Sequence, residues 1–350
     1  MERSRSYIAT PPGATIKEQI VDRGMSQKEF AARMGMSEKH ISRLINGEVQ
    51  LTMDAARRLE MVLGLPTQFW CNLEAIYREK IAMVNEENAM DSDAQFAKKF
   101  PYKEMAKNDW VIDTSKRTEQ VLALRKFFEV VELTYLKQNL IPAGIACRKL
   151  SETDKSYYAL VAWAQKAKLE GRKIETQPID IKTLIKIMPE IRRMTTMPPK
   201  EFCPKLQSML ADCGIAIVFL PHIGGSFLHG ATFYDGNKII LGLTVRGKDA
   251  DKFWFSLFHE LGHITLGHIG NMEGTSQEDE DAADEYSENI LIPKADFMVF
   301  ANSNNINEAT IIEFAQQEEI DTGIVLGRLQ KYGYVNYGWY ENLKKKYVIA

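Results

Sequence analysis

The 350 residues carry a formal charge of -3, 45% apolar side chains and four cysteines. That length suggests two or three domains with ordinary packed cores, and the near-neutral balance excludes a generally polybasic nucleic-acid binder while allowing one local basic face. Cys71, Cys147, Cys203 and Cys213 form no CxxC pair, so neither a disulfide framework nor a cysteine zinc site is expected. No stretch has the uninterrupted apolar length that spans a bilayer, and MERSRSYIATPPGATIKEQ lacks the apolar run of a secretory signal. A cytoplasmic protein without membrane contact is expected.

After a short arm, expected to be mobile, Ala14 to Leu63 reads as brief helices separated by turn signals. Ile16 to Arg23 forms the first and Gly24 stops it. Ser26 caps the second, which runs through Gln27, Phe30, Ala31 and Met34 to Gly35. Ser37 caps the third, whose apolar stripe is Ile41, Leu44 and Ile45 and which ends at Asn46-Gly47. Its polar residues, Glu38, Lys39, His40, Ser42 and Arg43, then point outward, as a helix entering a major groove requires. The stretch SQKEFAARMGMSEKHISRLINGE resembles the helix-turn-helix of the XRE/Cro family, and LTMDAARRLEMVLGLPTQFWCNLEAIYRE is similar to the HigA antitoxin subgroup. The resemblance implies that Gln27 touches phosphate while Ser37, Lys39, His40 and Arg43 face bases or backbone of double-stranded operator DNA. Glu38 departs from a purely basic reading face. With so little excess positive charge, one copy should bind weakly, and a homodimer on a two-fold operator is the expected form.

Residues 81–195 read as a helical connector or sensor. Met83 to Phe100 is polar and open to an extended course, whereas Ser115 to Leu136 and Tyr157 to Leu169 have helical apolar spacing. Trp110, Phe127, Phe128 and Trp163 are assigned to core packing rather than to a ligand cage. The segment RKIETQPIDIKTLI is a candidate hinge. Met197-Pro198-Pro199 then opens the last domain: a helix from Phe202 to Cys213, a strand at Ile215 to Leu220, and a hairpin of Ala231 to Tyr234 with Lys238 to Val245 around Asp235-Gly236-Asn237.

Phe253 to His268, FWFSLFHELGHITLGH, sets ionisable groups into an apolar helix, where they are costly without a shared partner. His259 and His263, four residues apart, project from one helical face and can reach one ion, so this is the HExxH zinc signature with Glu260 as its general base. A catalytic zinc takes one further protein ligand and leaves a position for water. The acidic run SQEDEDAADEYSENILIP supplies the candidates. Here the carboxyl-terminal half resembles the ImmA/IrrE metallopeptidase family, whose ligand helix reads roughly E-x-x-A-N/D-x-F-A-x-x-L-L-x-P. That pattern puts Glu280 at the third-ligand position, Ala283 and Asp284 on the A-N/D pair, Tyr286 on the aromatic and Pro293 on the closing proline. Asp284 would accept from a liganding imidazole. Ser287 and Glu288 depart from the pattern, with Glu278 and Asp281 as fallback ligands. FAQQEEIDTGIVLGRLQKYGYVNYG also resembles the end of HigA-like chains fused to this peptidase. His229 and Tyr234 are oxyanion candidates, and His268, five residues past His263, lies off the ligand face and is read as structural.

The fold class expected is mainly α with a small antiparallel sheet, an α+β arrangement. It comprises a helix-turn-helix bundle over 1–80, the connector over 81–195 and a zincin-like HExxH domain over 196–350. The resemblances imply an operator-binding regulator, of antitoxin or phage-repressor type, that carries a Zn2+ endopeptidase cleaving a toxin or repressor partner, or itself, under stress. The alternative is a non-catalytic antitoxin that neutralises its toxin by direct binding, with the zinc fold as scaffold.

Overall fold

Serine caps and glycine stops divide the first part of the chain into short helices in the computed structural model, which describes residues 2–137, 154–224, 230–244, 249–270, 275–303 and 305–347. Two units form, Met1–Gln95 and Phe96–Ala350. No helix among the described residues is long and apolar enough to cross a membrane. Cys147 and His229 lie outside the described residues.

In the first unit, strands β1 (Glu2–Arg3) and β2 (Ile8–Ala9) pair antiparallel ahead of five helices. These are α1 (Pro12–Asp22), α2 (Gln27–Met34), α3 (Glu38–Ile45), α4 (Met53–Leu63) and α5 (Thr67–Phe96). Ser26 accepts from the Glu29 amide at 3.1 Å and Ser37 from the His40 amide at 3.2 Å, while Gly35 at φ 59° turns the chain out of α2. Phe30, Met34, Ile41, Leu59 and Trp70 fill the core between them. Two expectations fail here. The arm is not free, because Ser4 and Ser6 donate to Glu87 on α5 and Ala9 packs with Tyr77 and Val84. Residues 83–96 are not extended but continue α5, whose polar surface is helical because Val84 and Glu87 anchor it to the arm.

The second unit continues with α6 (Tyr102–Lys107), α7 (Arg117–Phe128), α8 (Asp154–Gly171), α9 (Ile181–Arg193) and α10 (Pro199–Ala211). Strands β3 (Ile215–Leu220), β4 (Gly230–Asp235) and β5 (Lys238–Thr244) follow. The carboxyl-terminal helices are α11 (Ala250–Leu266), α12 (Gln277–Leu291), α13 (Lys294–Ala301), α14 (Glu308–Gln317) and α15 (Thr322–Lys331). The sheet is mixed, not antiparallel: its order is β3-β5-β4, with Ile215 opposite Ile239 in a parallel pair and Asp235 opposite Lys238 in the hairpin. The hairpin folds β5 into the centre, so the free edge over α11 belongs to β4. Helix α8 covers one sheet face and α11 packs on the sheet as well, which explains the almost uninterrupted apolar run of β3.

The expected boundary near residue 195 does not exist, because α8 belongs to the core of the second unit rather than to a connector. Trp163 packs against Gly242, and its indole N–H donates to the Pro221 carbonyl at 3.2 Å. Trp110 and Phe127 stack nearby as core. The hinge expected after α8 is strapped down instead: Gln177 N–H donates to Ala211 O and Asp180 N–H to Cys213 O. A Cβ at Gly242 would stand 2.6 Å from the Trp163 ring, and a rigid aromatic cannot give way cheaply. Gly242→Ala should therefore destabilise this unit by about 1–3 kcal/mol, read as a lowered thermal midpoint.

Candidate metal centre and DNA-reading surface

Helix α11 buries Phe253, Trp254, Leu257, Phe258, Leu261 and Ile264, which fixes the rotation of its polar residues toward α12 and β4. Helix α12 begins with a capping box in which the Ser276 side chain accepts from the Asp279 amide and the Asp279 side chain accepts from the Ser276 amide. It approaches α11 closely, since Gly262 leaves room for Tyr286 and Ala283, where a Cβ would meet the Tyr286 ring at 3.1 Å.

The two helices bring together the ligand atoms of His259, His263 and Glu280, all within 4.8 Å of one another. The Nε2 atoms of His259 and His263 are 3.0 Å apart, Glu280 Oε2 is 3.4 Å from His259 Nε2, and Glu280 Oε1 is 3.5 Å from His263 Nε2. A tetrahedral ion bound at the roughly 2.0–2.1 Å usual for zinc with nitrogen and oxygen donors needs those donors about 3.4 Å apart. The donor set therefore fits a zinc-sized cation in both chemistry and spacing. Among the fallback ligands, Glu278 and Asp281 are exposed and stand outside this cluster.

Each imidazole is held from behind. Asp284 Oδ1 lies 2.8 Å from His259 Nδ1, and Lys331 Nζ is 3.8 Å from the other Asp284 oxygen. His268 Nδ1 lies 3.0 Å from His263 Nδ1, a contact that helical spacing excludes. It arises because Gly267, at φ 78°, ends α11 in the left-handed conformation and folds His268 back over the last turn. This contact of His268 with His263 is one that the sequence reading missed, and a glycine directly before a histidine at a helix end was the available signal. Thr275 donates to Glu280 Oε1 at 2.5 Å, fixing the carboxylate from a third direction. Asp284→Asn should lower metal affinity about 10–100-fold with little change in thermal stability, as measured by competition with a chromogenic chelator.

Glu260 lies on the β4 side, where Thr232 Oγ1 donates to its Oε2 and Gly230 packs against its carboxylate so closely that a Cβ there would stand 2.7 Å from Oε1. Neither Thr232 nor Gly230 was singled out by sequence, since both reach the site through strand pairing. Burial raises the Glu260 pKa to about 7, against the lowering influence of the His259 imidazole and the Thr232 hydrogen bond. Burial and the neighbouring imidazole bring His263 down to about 4, which keeps it neutral at pH 7. Burial also works against protonation of His259, but Asp284 and Glu280 outweigh it and lift the pKa to about 10. Glu280 is held below its usual value because bonds to His259 and Thr275 outweigh its burial. Tyr234 shares the strand face of Thr232, half exposed beside Gly270.

The departures from the ligand-helix pattern are accommodated. Ser287 is fully buried and donates to the Asp284 carbonyl at 2.8 Å, while Glu288 accepts from Lys331 at 2.8 Å and from the Tyr332 hydroxyl at 2.7 Å.

In the first unit Gln27, Ser37, Lys39, His40 and Arg43 are all exposed, as a reading surface requires. Ser37 Oγ accepts the His40 amide in the α3 cap, which leaves its hydroxyl proton and a second lone pair for an outside partner. Arg43 pairs loosely with Glu48 at 3.6 Å, both half exposed, a contact worth little and readily exchanged for phosphate.

Residues 16–70 match the helix-turn-helix family. An uncharacterized HTH-type transcriptional regulator, YddM, of Escherichia coli (strain K12) is 36% identical over 63 residues, which are 18% of this chain and 67% of that relative. With five polar side chains exposed around a capped third helix and this match over the same helices, the chain belongs, through its amino-terminal unit, to the XRE-type helix-turn-helix family of DNA-binding transcriptional regulators.

Proposed function

We propose that this regulator carries its own zinc endopeptidase, in the manner of a HigA-type helix-turn-helix joined to an ImmA/IrrE-type domain, and that it acts on a repressor or toxin partner or on itself. The observation that carries the reading is the convergence of His259, His263 and Glu280 with Glu260 beside them. In this reading His259, His263 and Glu280 hold Zn2+, which when bound supplies a Lewis acid and lowers the pKa of its water. Asp284 and His268 orient the two imidazoles so that each presents Nε2 inward.

Glu260 takes the proton from the attacking water at its carboxylate and returns it to the leaving amine. Thr232 holds one Glu260 oxygen and leaves the other free for this exchange. The edge of β4 offers main-chain groups to which a peptide adds as an extra strand next to Glu260. Recognition through main-chain bonds gives weak sequence specificity, so selection of the target falls to the operator-binding unit, which holds the peptidase where its target acts.

The test is co-expression with the product of the adjacent gene, followed by mass spectrometry of that product. Truncation supports hydrolysis; a stable complex with the intact product supports the antitoxin that binds without turnover. For the reading head, acting as a homodimer on a two-fold operator, Arg43→Ala should weaken operator binding in a gel shift and reduce the slope of affinity against salt by about 1.

A further inference from the structure

A cavity of about 340 Å³ opens between the first turns of α11, the end of α12 and α15. Lys252 and Ser256 on its wall fall on the same helical stripe as His259 and His263, at spacings of four, three and four residues. The cavity therefore continues the metal cleft toward the amino-terminal end of the helix. Phe255, which also lines it, has its ring centroid 6.3 Å from that of His259, and Leu291 and Ile324 extend the apolar wall. Each charged group on the wall already faces an opposite charge. Asp251 pairs with Lys344 at 3.2 Å, Lys252 with Asp249 at 2.7 Å, and Glu288 with Lys331 at 2.8 Å and Arg328 at 3.6 Å. A charged occupant would find no counter-charge left to offset its desolvation, so the space favours a neutral apolar group.

The strand beside α11 decides which part of a peptide meets this space. Gly230 at the start of β4 lies against Glu260, and Tyr234 near its end lies against Gly270, so β4 runs along α11 in the same sense as the helix. A peptide added to the free β4 edge in the antiparallel sense, the more stable pairing, runs the other way. Residues before the scissile bond then lie toward Tyr234. The residue after it lies toward the first turns of α11, where the cavity opens.

We propose that the cavity receives the side chain of the residue that follows the scissile bond, and that this side chain is large, apolar and uncharged, aromatic or branched. On the peptidase reading above, on which this assignment rests, the substrate class is a peptide cut on the amino side of such a residue. In the cut the amide C–N bond breaks and the water oxygen joins the carbonyl carbon. The amine that takes the proton through Glu260 belongs to the residue seated in the cavity. Burial of that side chain against Phe255, Leu291 and Ile324 supplies the preference. It acts at a single position and leaves the choice of target protein with the operator-binding unit.

The probes are succinyl hydroxamates, alike except for the group on the carbon that stands for the α-carbon of the following residue: methyl, isobutyl, benzyl or aminobutyl. The hydroxamate takes the metal, and affinities are read by calorimetry on the zinc-loaded full chain, with no hydrolysis involved. The isobutyl and benzyl compounds are expected to bind about 10–100-fold more tightly than the methyl compound, the gain from burying one large apolar side chain. The cationic aminobutyl compound is expected to bind no more tightly than the methyl one. Ser256→Trp, which fills the cavity from α11, should narrow the benzyl advantage to about twofold in a chain whose thermal midpoint shows it folded. Equal affinity of the parent chain for the methyl and benzyl compounds overturns the subsite, and so does tightest binding of the aminobutyl compound. That comparison needs only the parent, so it stands even where Ser256→Trp does not fold. Full selectivity retained by folded Ser256→Trp overturns the assignment to this cavity. A zinc-loaded chain that binds none of these compounds overturns the metal reading itself, an outcome distinct from binding all of them alike.

Discussion

Glu260→Gln should lower cleavage of the partner by about 10²–10⁴-fold, the range expected when a general base is removed, while zinc content stays at the parent level. Glutamine keeps the shape of the side chain and still offers an oxygen to Thr232, so the fold around Gly230 and β4 is undisturbed. What it loses is the carboxylate that accepts a proton. Because burial already disfavours the charged form of Glu260, replacing it with a neutral amide relieves a cost, and the thermal midpoint at neutral pH should equal or exceed the parent's. Cleavage at the parent rate by a zinc-loaded Glu260→Gln chain would remove Glu260 from the mechanism. Metal analysis and gel-resolved proteolysis on the same preparation separate the two outcomes.

His263→Ala should abolish stoichiometric zinc binding altogether, and with it both hydrolysis and the stabilising effect of metal. His263 has no exposed surface and provides the inner of the two imidazoles, so its removal takes one of the three donors out of the cluster. A metal that binds only the folded chain stabilises it by about 4 kcal/mol at a thousandfold excess over its dissociation constant. For a unit of this size that corresponds to roughly 10 °C in thermal midpoint. Chelation should therefore lower the midpoint of the parent by about that amount and leave that of His263→Ala unchanged. A parent chain indifferent to chelator, with no bound metal before treatment, would contradict the assignment.

The parts of the site that were legible in the sequence are those whose geometry is local. His259, Glu260 and His263 share one helix, so their spacing alone fixes which way they point, and the Ser26, Gly35 and Ser37 signals bound α2 and α3 for the same reason. Glu280 and Asp284 could be placed only through family resemblance, since nothing in an acidic run says which carboxylate turns inward. Thr232 and Gly230 reach Glu260 across strand pairing, which no local pattern encodes. The run IAIVFL declares a buried strand but is silent about its partner, and the hairpin put β5 between β3 and β4. The polar sequence after Met83 is open to an extended course when read alone, because its helix is secured by contacts from the distant arm residues Ser4, Ser6 and Ala9. His268 was excluded by helical arithmetic that holds only until Gly267 ends the helix.

The most direct measurement is X-ray absorption at the zinc edge on the purified full chain. The account predicts first-sphere scattering at about 2.0–2.1 Å from nitrogen and oxygen alone, with the outer-sphere pattern of two imidazoles, and loss of stoichiometric zinc in His263→Ala. Sulfur scattering near about 2.3 Å, or a chain that retains no zinc from metal-supplemented medium, would contradict it.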